Sequence, residues 1–476
     1  MRLLRVEGVN MRFVVEDTQD LKTISGGSQM LLNAIHELAD CAAFRAKLAP
    51  ISLGASAGLF EVTDARVSAD VVAEQLRTTH PHLTLVVHAV DGTDFSVDEE
   101  RVRAANRWGQ MSQPSLAFPQ RGGSACKHDR VRPAIENGIS PSVEARRATD
   151  KANFYATFAK RPGLTLCQDL DTLASDRTRS NLDGKIAVIY ADGNHFGKTI
   201  AQNCVSPDSL RAVDRAIQEK RQALLGSVVD RAEKTTNNEL RLETLLWGGD
   251  ESIWVVPAWR GWETLQFFYE TAQWALRPRD IPTIVDAKDM KEGVDVPLHH
   301  GAGIVFCHRS AHIHRMTSLA KNLAEIAKKK SRDRSLFAYQ VLESFDATGL
   351  DLDAFRKRAA PENASMVLDG ARMKEIAEAF RLYKDTDPPR GKVHELTRSI
   401  LGRASAVDPH IFGQHDGLGA ASCDKPMDAL VKRAQGEFTE MEKLVAPLRS
   451  VDSESAFALV PWLHIADLWD YVGLQS

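Results

Sequence analysis

The middle of the chain alternates between strand-like and helix-like patterns of apolar residues. Residues 186–191 form a short run that is almost entirely apolar, as expected for a strand buried on both faces. A helix is predicted over 206–234, because apolar residues recur there every three or four positions, and strands follow at 241–247 and 252–256. The Gly248-Gly249 pair between those strands suits a tight hairpin turn.

This order of elements predicts that three acidic residues meet at one edge of a sheet. A strand–helix–strand unit in one sheet makes a right-handed crossover with parallel strands, so their carboxyl ends lie on the same side. Asp192 ends the first strand, and Asp250 and Glu251 lie in the turn after the second. Clustered carboxylates repel one another unless cations neutralise them, and all-oxygen sites suit Mg²⁺ or Mn²⁺. Two such ions about 4 Å apart can activate a 3′-hydroxyl and stabilise a leaving pyrophosphate.

The N-terminal third repeats the same order of elements. Its patterns predict strands at 2–15, 51–62 (a hairpin) and 83–90, and helices at 29–48 and 65–77. That is the β-α-β-β-α-β order of a ferredoxin-like fold. The hairpin at 54–58 reads Gly-Ala-Ser-Ala-Gly and has no carboxylate, so this copy is not expected to hold a metal ion.

The Gly-Gly-Asp-Glu turn at 248–251, facing Asp192, resembles the signature of palm-domain nucleotide cyclases and polymerases. The chain most resembles the large polymerase-like subunit of type III CRISPR effector complexes, and GGDEF diguanylate cyclases more distantly. Residues 17–32 (DTQDLKTISGGSQMLL) resemble the opening of that family's first palm domain. The family's larger members carry an N-terminal His-Asp nuclease pair, which is not evident here. We therefore expect a form that signals by nucleotide synthesis.

The resemblance implies an α+β protein with two ferredoxin-like palm domains and a helical C-terminal domain. The corresponding division is a degenerate palm at 1–107, a connector at 108–180, a catalytic palm at 181–348 and the helical domain at 349–476. Within the last, helices are predicted at 352–358, 362–383, 390–404, 426–448 and 455–472. Family members make cyclic oligoadenylates from ATP as antiviral messengers, so expected partners are nucleoside triphosphates, RNA and other subunits of a CRISPR-type complex.

The resemblance also assigns the site residues. Asp192, Asp250 and Glu251 are the expected catalytic residues, and with the Gly193 carbonyl they are expected to hold two Mg²⁺ or Mn²⁺ ions. Backbone amides at 194–197 are expected to cradle phosphates. Residues 320–330 (AKNLAEIAKKK) resemble a helix whose lysines reach the triphosphate, although a charge run at a helix C-terminus is also favoured by the helix dipole. The expected nucleotide-binding residues are Gly193, Asn194, His195, Phe196, Gly197, Lys198, Gly248, Gly249, Lys328 and Lys329.

Three positions depart from the family pattern. Glu251 replaces the usual second aspartate of the hairpin, and Asn194 stands where some relatives have another acid. Glutamate still binds Mg²⁺, so the first change is compatible with activity, although it could alter the spacing of the metal ions. A connector motif with two cysteines keeps only Cys126 here, with Asp129 at the second position, so a zinc site is not expected.

Two other functions stay open from the sequence. One is a diguanylate-type cyclase, but an Arg-x-x-Asp inhibitory pattern five residues before the hairpin is missing. The other is a catalytically silent scaffold or RNA-binding subunit. A purely structural palm could drop its acids, as the first copy does, whereas the second copy keeps all three.

Composition limits the binding partners and the cellular compartment that we expect. A net charge of −4 over 476 residues does not predict general electrostatic binding to nucleic acid, although a local basic cluster at 309–334 could guide RNA or a protein partner. Six scattered cysteines fit a reducing cytoplasm. The sequence has no run of about 18 apolar residues and no signal peptide pattern, so membrane insertion and secretion are not expected.

Overall fold

A computed structural model describes residues 1–9, 14–111, 124–276, 295–343, 366–385, 446–448 and 460–474. The described chain is of mixed α+β type, built around one four-stranded sheet, one six-stranded sheet and a small two-stranded sheet. None of the helices within these ranges is long and apolar enough to cross a membrane.

The first sheet is antiparallel, with strand order β2-β3-β1-β4, which is the order of a ferredoxin-like fold. Helix α1 begins earlier than the predicted 29–48, because the Asp20 carboxylate caps it by accepting from the Thr23 N–H at 3.0 Å. The elements are β1 (Arg2–Val9), α1 (Leu21–Asp40), β2 (Leu48–Leu53), β3 (Ala57–Val62), α2 (Ala69–Thr79), β4 (Thr84–Asp91) and α3 (Phe95–Met111). Helix α3 was not predicted, and it runs across the boundary placed at 107.

The described part of the segment between the sheets contains three short α-helices and a 3-10 helix (Arg177–Leu182), where the sequence predicted only a connector. The α-helices are α4 (Pro141–Arg147), α5 (Lys151–Phe158) and α6 (Leu170–Ala174). Arg146 is 1% exposed and donates to the Val14 carbonyl at 2.7 Å and to the Asp17 carboxylate at 2.6 Å. Lys151 donates to both oxygens of the buried Glu243, at 2.8 and 2.7 Å. These buried ion pairs tie the connector to both sheets.

The second sheet has strand order β12-β11-β10-β5-β7-β6. β5 pairs antiparallel with β10 and β7, and β6 pairs antiparallel with β7, so β5 and β6 are parallel as predicted, with β7 between them. Its elements are β5 (Lys185–Gly193), α7 (Phe196–Asn203), α8 (Pro207–Arg231), β6 (Glu243–Gly248), β7 (Glu251–Pro257), α9 (Ala258–Thr271), β10 (His300–His308), α10 (Ile313–Lys330), β11 (Leu336–Val341) and β12 (Val367–Asp369). The two-stranded sheet joins β8 (Trp274–Leu276) to β9 (Val296–Leu298).

Both faces of this sheet are covered, which explains why residues 186–191 of β5 are almost all apolar. Ala187 and Ile189 belong to the core shared with α8 and α9, whereas Val188 and Tyr190 belong to the core shared with α10. Successive side chains of a strand point to opposite faces. Asp192 therefore lies on the α10 face, in line with Tyr190.

The predicted helix at 362–383 is wrong in its first part. Val367 and Leu368 are buried in β12, which pairs antiparallel with β11, and helix α11 (Met373–Lys384) begins only after it. Pairing with an exposed strand edge satisfies backbone groups that a local helical pattern cannot account for. The second sheet thus extends past the boundary placed at 348.

The chain's C-terminal end packs back on the second sheet. Helix α12 (Val460–Leu468) brings His464 Nδ1 to 2.7 Å from the Tyr339 hydroxyl, and the Tyr471 and Phe306 rings are 4.4 Å apart. The helices predicted at 352–358 and 390–404, and most of that at 426–448, lie outside the described residues.

Candidate active site at the sheet edge

The ends of β5 and β6 meet at the turn that leads into β7. Ser252 is the register partner of both Ala191 and Trp247, which brings the following residues to one level of the sheet. The Gly193 N–H donates to the Asp250 carbonyl at 3.2 Å. A Cβ placed on Gly193 would lie 2.8 Å from the Asp250 Cβ, so the backbones touch here. The structure thus brings Asp192 and Asp250 together, as the predicted topology required.

The hairpin turn depends on both of its glycines. Gly249 has φ +50°, in the left-handed region that favours glycine. A Cβ on Gly248 would lie 1.7 Å from the Cβ of Ala55, in the acid-free turn of the first sheet. The two glycines therefore serve turn geometry and close packing between the sheets.

Asp250 carries an electrostatic cost in the folded protein. Burial, together with the nearby charges of Asp192 and Glu251, raises its pKa to about 6, while the charge of Lys328 opposes the rise. Arg221 of α8 also interacts with the Asp250 charge, and its guanidinium lies 4.2 Å from the centre of the Trp247 ring. Burial lowers the pKa of Arg221 to about 10, and within the described part of the chain its Nη2 atom has no hydrogen-bond partner.

Lys328 enters the carboxylate cluster from the α10 face of the sheet. Its ammonium donates to Asp192 Oδ2 and, at 3.2 Å, to the Gly193 carbonyl, and the residue is 4% exposed. The lysine predicted to bind triphosphate therefore contacts the predicted metal ligands. The next residue, Lys329, has an exposed side chain.

Glu251 is engaged differently from the aspartates. It accepts a hydrogen bond from the Tyr190 hydroxyl at 2.8 Å, and burial together with the Glu251 and Asp192 charges raises the Tyr190 pKa far above its ordinary value. Among the described residues, no three His, Cys, Asp or Glu side chains are grouped to hold a metal ion. The predicted set of three carboxylates is therefore not assembled in this structure, because Tyr190 holds Glu251 and Lys328 holds Asp192.

The remaining donors still fit a hard divalent cation by their chemistry. Asp192, Asp250 and the Gly193 carbonyl supply only oxygen atoms, which Mg²⁺ and Mn²⁺ prefer. Burial and the charges of Asp192 and Glu251 raise the pKa of Asp250, so its ionised form is disfavoured in this fold. A cation at this edge would favour the ionised form.

The predicted phosphate cradle at 194–197 is partly wrong. The Asn194 N–H donates to the His299 carbonyl at 2.8 Å, so it is engaged in the fold, and its side-chain amide donates to the Arg332 and Arg334 carbonyls at 3.1 Å. His195, with φ +59°, is the N-cap of α7.

The other predicted phosphate-binding N–H groups lie in the first turn of α7. Its N–H groups have no acceptor within the helix, as at any helix N-terminus. These groups belong to Phe196, Gly197 and Lys198. Gly197 and Lys198 are exposed, while the Phe196 ring is buried against His300 with ring centres 5.0 Å apart. Phe196 is thus a core residue that fixes the start of the helix.

The sequence analysis missed Tyr190, Arg221 and Gly301 as members of the site. Tyr190 lies two residues before Asp192 on a strand, so the alternation of strand side chains could have placed both on one face. Arg221 and Gly301 reach the site only through the packing of α8 and the pairing of β10. Nothing in the local sequence signals either role.

Comparison with known proteins supports the resemblance at the level of the fold. No protein-family model and no curated protein matches the sequence. A Csm1–Csm4 cassette in complex with cA4 is similar over 100% of this chain and 70% of that chain, with a TM-score of 0.56 at 11% identity. The cassette in complex with pppApA gives 0.54 at 11% identity, over 100% of this chain and 69% of that one.

Csm1 from T.onnurineus gives a TM-score of 0.52 at 13% identity, over 100% of this chain and 70% of that chain. Identities this low show the fold alone. The structural neighbours of this chain are Csm1 subunits of type III CRISPR complexes, and the chain has their fold.

Proposed function

We propose that this protein is a nucleotidyltransferase that makes cyclic oligoadenylate from ATP. The observation that carries the proposal is the meeting of Asp192 and Asp250 where β5 ends against a Gly-Gly-Asp-Glu turn. The structural neighbours add support, because Csm1–Csm4 cassettes are known in complex with ATP, cA3 and cA4. In this proposal the second sheet is the catalytic palm, and the first sheet is a degenerate palm that buttresses it.

Asp192, Asp250 and the Gly193 carbonyl would hold Mg²⁺ or Mn²⁺, with Glu251 joining after release from Tyr190. Divalent ions at such a site polarise phosphate oxygens and lower the pKa of an attacking hydroxyl. The 3′-hydroxyl of one nucleotide then attacks the α-phosphorus of the next. A new phosphodiester bond forms as the bond to pyrophosphate breaks, and repetition followed by ring closure gives a cyclic product.

Other residues of the chain would position the triphosphate. N–H groups in the first turn of α7 would bind phosphate oxygens, and Lys198 lies at the same turn. Lys328 and Lys329, at the end of α10, would offset the charge of the triphosphate. Arg221, which is buried on the opposite face, would help to balance the charge of Asp250.

The activity would belong to a larger assembly. Csm1 is known in a cassette with Csm4, and we propose that this chain likewise binds a protein partner of a CRISPR-type complex and responds to RNA. The first sheet meets the second where Ala55 lies against Gly248, next to the carboxylate edge.

The test is to incubate the purified protein with each nucleoside triphosphate and Mg²⁺ or Mn²⁺, with and without RNA, and to identify products by mass spectrometry. We expect cyclic adenylates from the wild type and from Asp208→Ala, whose exposed carboxylate lies at the start of α8. Asp250→Ala should make none while keeping the circular dichroism of the wild type.

The same experiment separates the other functions. Cyclic diguanylate from GTP would identify a diguanylate-type cyclase. Nucleotide binding without any product, with RNA and candidate partner proteins present, would indicate a scaffold. Product formation by Asp250→Ala equal to that of the wild type would rule out the proposed site.

A further inference from the structure

Lys328 contacts the same two oxygens that a metal ion at this site would use. Its Nζ donates to Asp192 Oδ2 and to the Gly193 carbonyl, and Glu325 lies 3.9 Å away on the same helix. The Lys328 side chain is 4% exposed, and that of Asp192 is 15% exposed. The contact is therefore a largely desolvated ion pair, unlike the loose contacts typical of surface lysines.

The sheet is shaped to admit this lysine. Gly301 of β10 is the direct register partner of Asp192 in β5. A Cβ on Gly301 would lie 2.5 Å from the Lys328 Cγ and 3.1 Å from its Cε. The lysine stem thus packs over β10 directly opposite Asp192, where the glycine leaves room for it. Lys329, adjacent in sequence, is exposed, so its side chain is not buried in this way.

We propose that Lys328 is an internal cation that occupies the metal position while no nucleotide is bound, and that nucleotide and metal displace it together. This inference rests on the proposed function. An ammonium group and a divalent cation cannot both contact Asp192 Oδ2 and the Gly193 carbonyl, because they would overlap and repel. A triphosphate provides an alternative partner for the ammonium group, so it releases these oxygens to the metal.

The consequence is a positive coupling between metal and nucleotide. Metal alone must expel a buried ammonium group from its carboxylate, whereas metal with triphosphate exchanges one ion pair for another. Coupling between two ligands is reciprocal, so each should raise the affinity for the other. Lys328 would in this way keep the carboxylate edge ordered and metal-poor until substrate arrives.

The first experiment measures Mn²⁺ binding to the full chain by electron paramagnetic resonance of the free ion. In the wild type we expect weak binding, strengthened more than about tenfold by a non-hydrolysable ATP analogue. Lys328→Met should bind Mn²⁺ more than about tenfold more tightly without the analogue and lose most of the coupling. Lys330→Met, which removes an exposed positive charge two residues away on the same helix, should match the wild type in the analogue-free titration.

A second variant fills the space beside Gly301 that the Lys328 side chain occupies, without removing the charge of the lysine. Gly301→Ala should push the lysine stem away from Asp192 and raise the analogue-free affinity for Mn²⁺ in the same direction as Lys328→Met. Circular dichroism would verify that each variant is folded, and this second variant serves if Lys328→Met fails to fold. Adding Asp192→Asn to either variant should abolish the gain, because the metal then lacks its carboxylate ligand.

Wild-type affinity in both Lys328→Met and Gly301→Ala would overturn the inference. So would tight Mn²⁺ binding to the wild type that the ATP analogue does not change. The proposed function fails separately, because it requires product formation by the wild type. A protein that makes product but shows no competition would contradict this inference alone, and one that shows competition but makes no product would contradict the function alone.

Discussion

At the scale of single residues, the site is defined by how each acid is balanced. Asp192 is paired with Lys328, and Glu251 accepts from Tyr190, whereas Asp250 is balanced only by the longer-range charges of Lys328 and Arg221. Burial and the neighbouring carboxylate charges raise the pKa of Asp250 to about 6. A carboxyl with a raised pKa is more costly to ionise in the folded protein than in the unfolded chain.

We therefore predict that Asp250→Asn stabilises the metal-free protein at neutral pH. The folded pKa of about 6 lies above the ordinary 3.8, so this carboxyl favours folding most below pH 3.8 and loses that contribution as the pH rises to about 6. The gain in free energy of unfolding should be about 1–2 kcal/mol at pH 7.5 and should shrink as the pH falls toward 4. Thermal unfolding at several pH values measures it.

Asp208→Asn is the matched control, because that carboxylate is exposed, and its effect should vary little with pH. A loss of stability in Asp250→Asn at pH 7.5 would mean that Arg221 satisfies the ionised carboxylate in full. The same measurement with saturating Mg²⁺ should reverse the order of stabilities, since the ion would bind only the wild type well.

At the scale of elements, the two hairpins act as a pair. The turn between β2 and β3 has no carboxylate, and its Ala55 lies against Gly248 of the turn between β6 and β7. Helix α8 adds to this junction, since Asp214 accepts from the Ser52 hydroxyl at 3.0 Å and from the Leu53 N–H at 3.3 Å. The turn of the first hairpin, which has no acids, thus serves to pack against the second hairpin and α8.

Gly248→Ala should weaken the junction between the hairpins. Its Cβ would lie 1.7 Å from the Ala55 Cβ, and overpacking of this kind costs about 1–3 kcal/mol. Ala55→Gly in the same chain should restore part of the loss, which a double-mutant cycle from urea unfolding would measure.

Gly249→Asn tests the neighbouring glycine. A Cβ there meets nothing within 4 Å, and asparagine tolerates the left-handed conformation, so its cost should be smaller. Equal losses in Gly248→Ala and Gly249→Asn, with no recovery from Ala55→Gly, would show that turn conformation matters more than contact with Ala55.

At the scale of the whole molecule, the connector holds the sheets together through buried charge. Arg146 reaches the Val14 carbonyl and Asp17 before helix α1, and Arg132 joins Asp17 to Asp129. Asp129, at the position of a second cysteine in the resembling family, accepts the Val131 and Arg132 N–H groups at 2.9 Å. A hydrogen-bonded turn thus shapes this loop.

Arg146→Met should strongly destabilise the protein. It would leave Asp17 and Asp129 short of a buried counter-charge, and breaking such a pair typically costs about 3–5 kcal/mol. Arg147→Met is the control one residue away, because the 31% exposed Arg147 pairs with Asp20 nearer the surface and should cost less than about 1 kcal/mol. Chemical denaturation compares them, and equal losses would contradict a specific role for Arg146.

The sequence by itself determined the order of strands in the first sheet and of the β5–α8–β6–β7 unit in the second, and with it the meeting of Asp192 and Asp250. That was possible because the topology of a parallel crossover fixes which strand ends coincide, whatever the side chains between them. The Gly-Gly-Asp-Glu turn carried the resemblance to a fold that the structure confirms. The domain limits and catalytic roles stay predictions.

Only the tertiary structure decided how the carboxylates are partnered. Lys328 reaches Asp192 because Gly301 lies opposite it in the β5–β10 register, and that register joins residues more than a hundred positions apart. Strand β12, predicted as helix, owes its conformation to the edge of β11. Long-range packing likewise places Arg221 over the Trp247 ring and pairs the Asn194 N–H with the His299 carbonyl. Local patterns report a segment's own periodicity, whereas these contacts depend on which distant backbone lies alongside it.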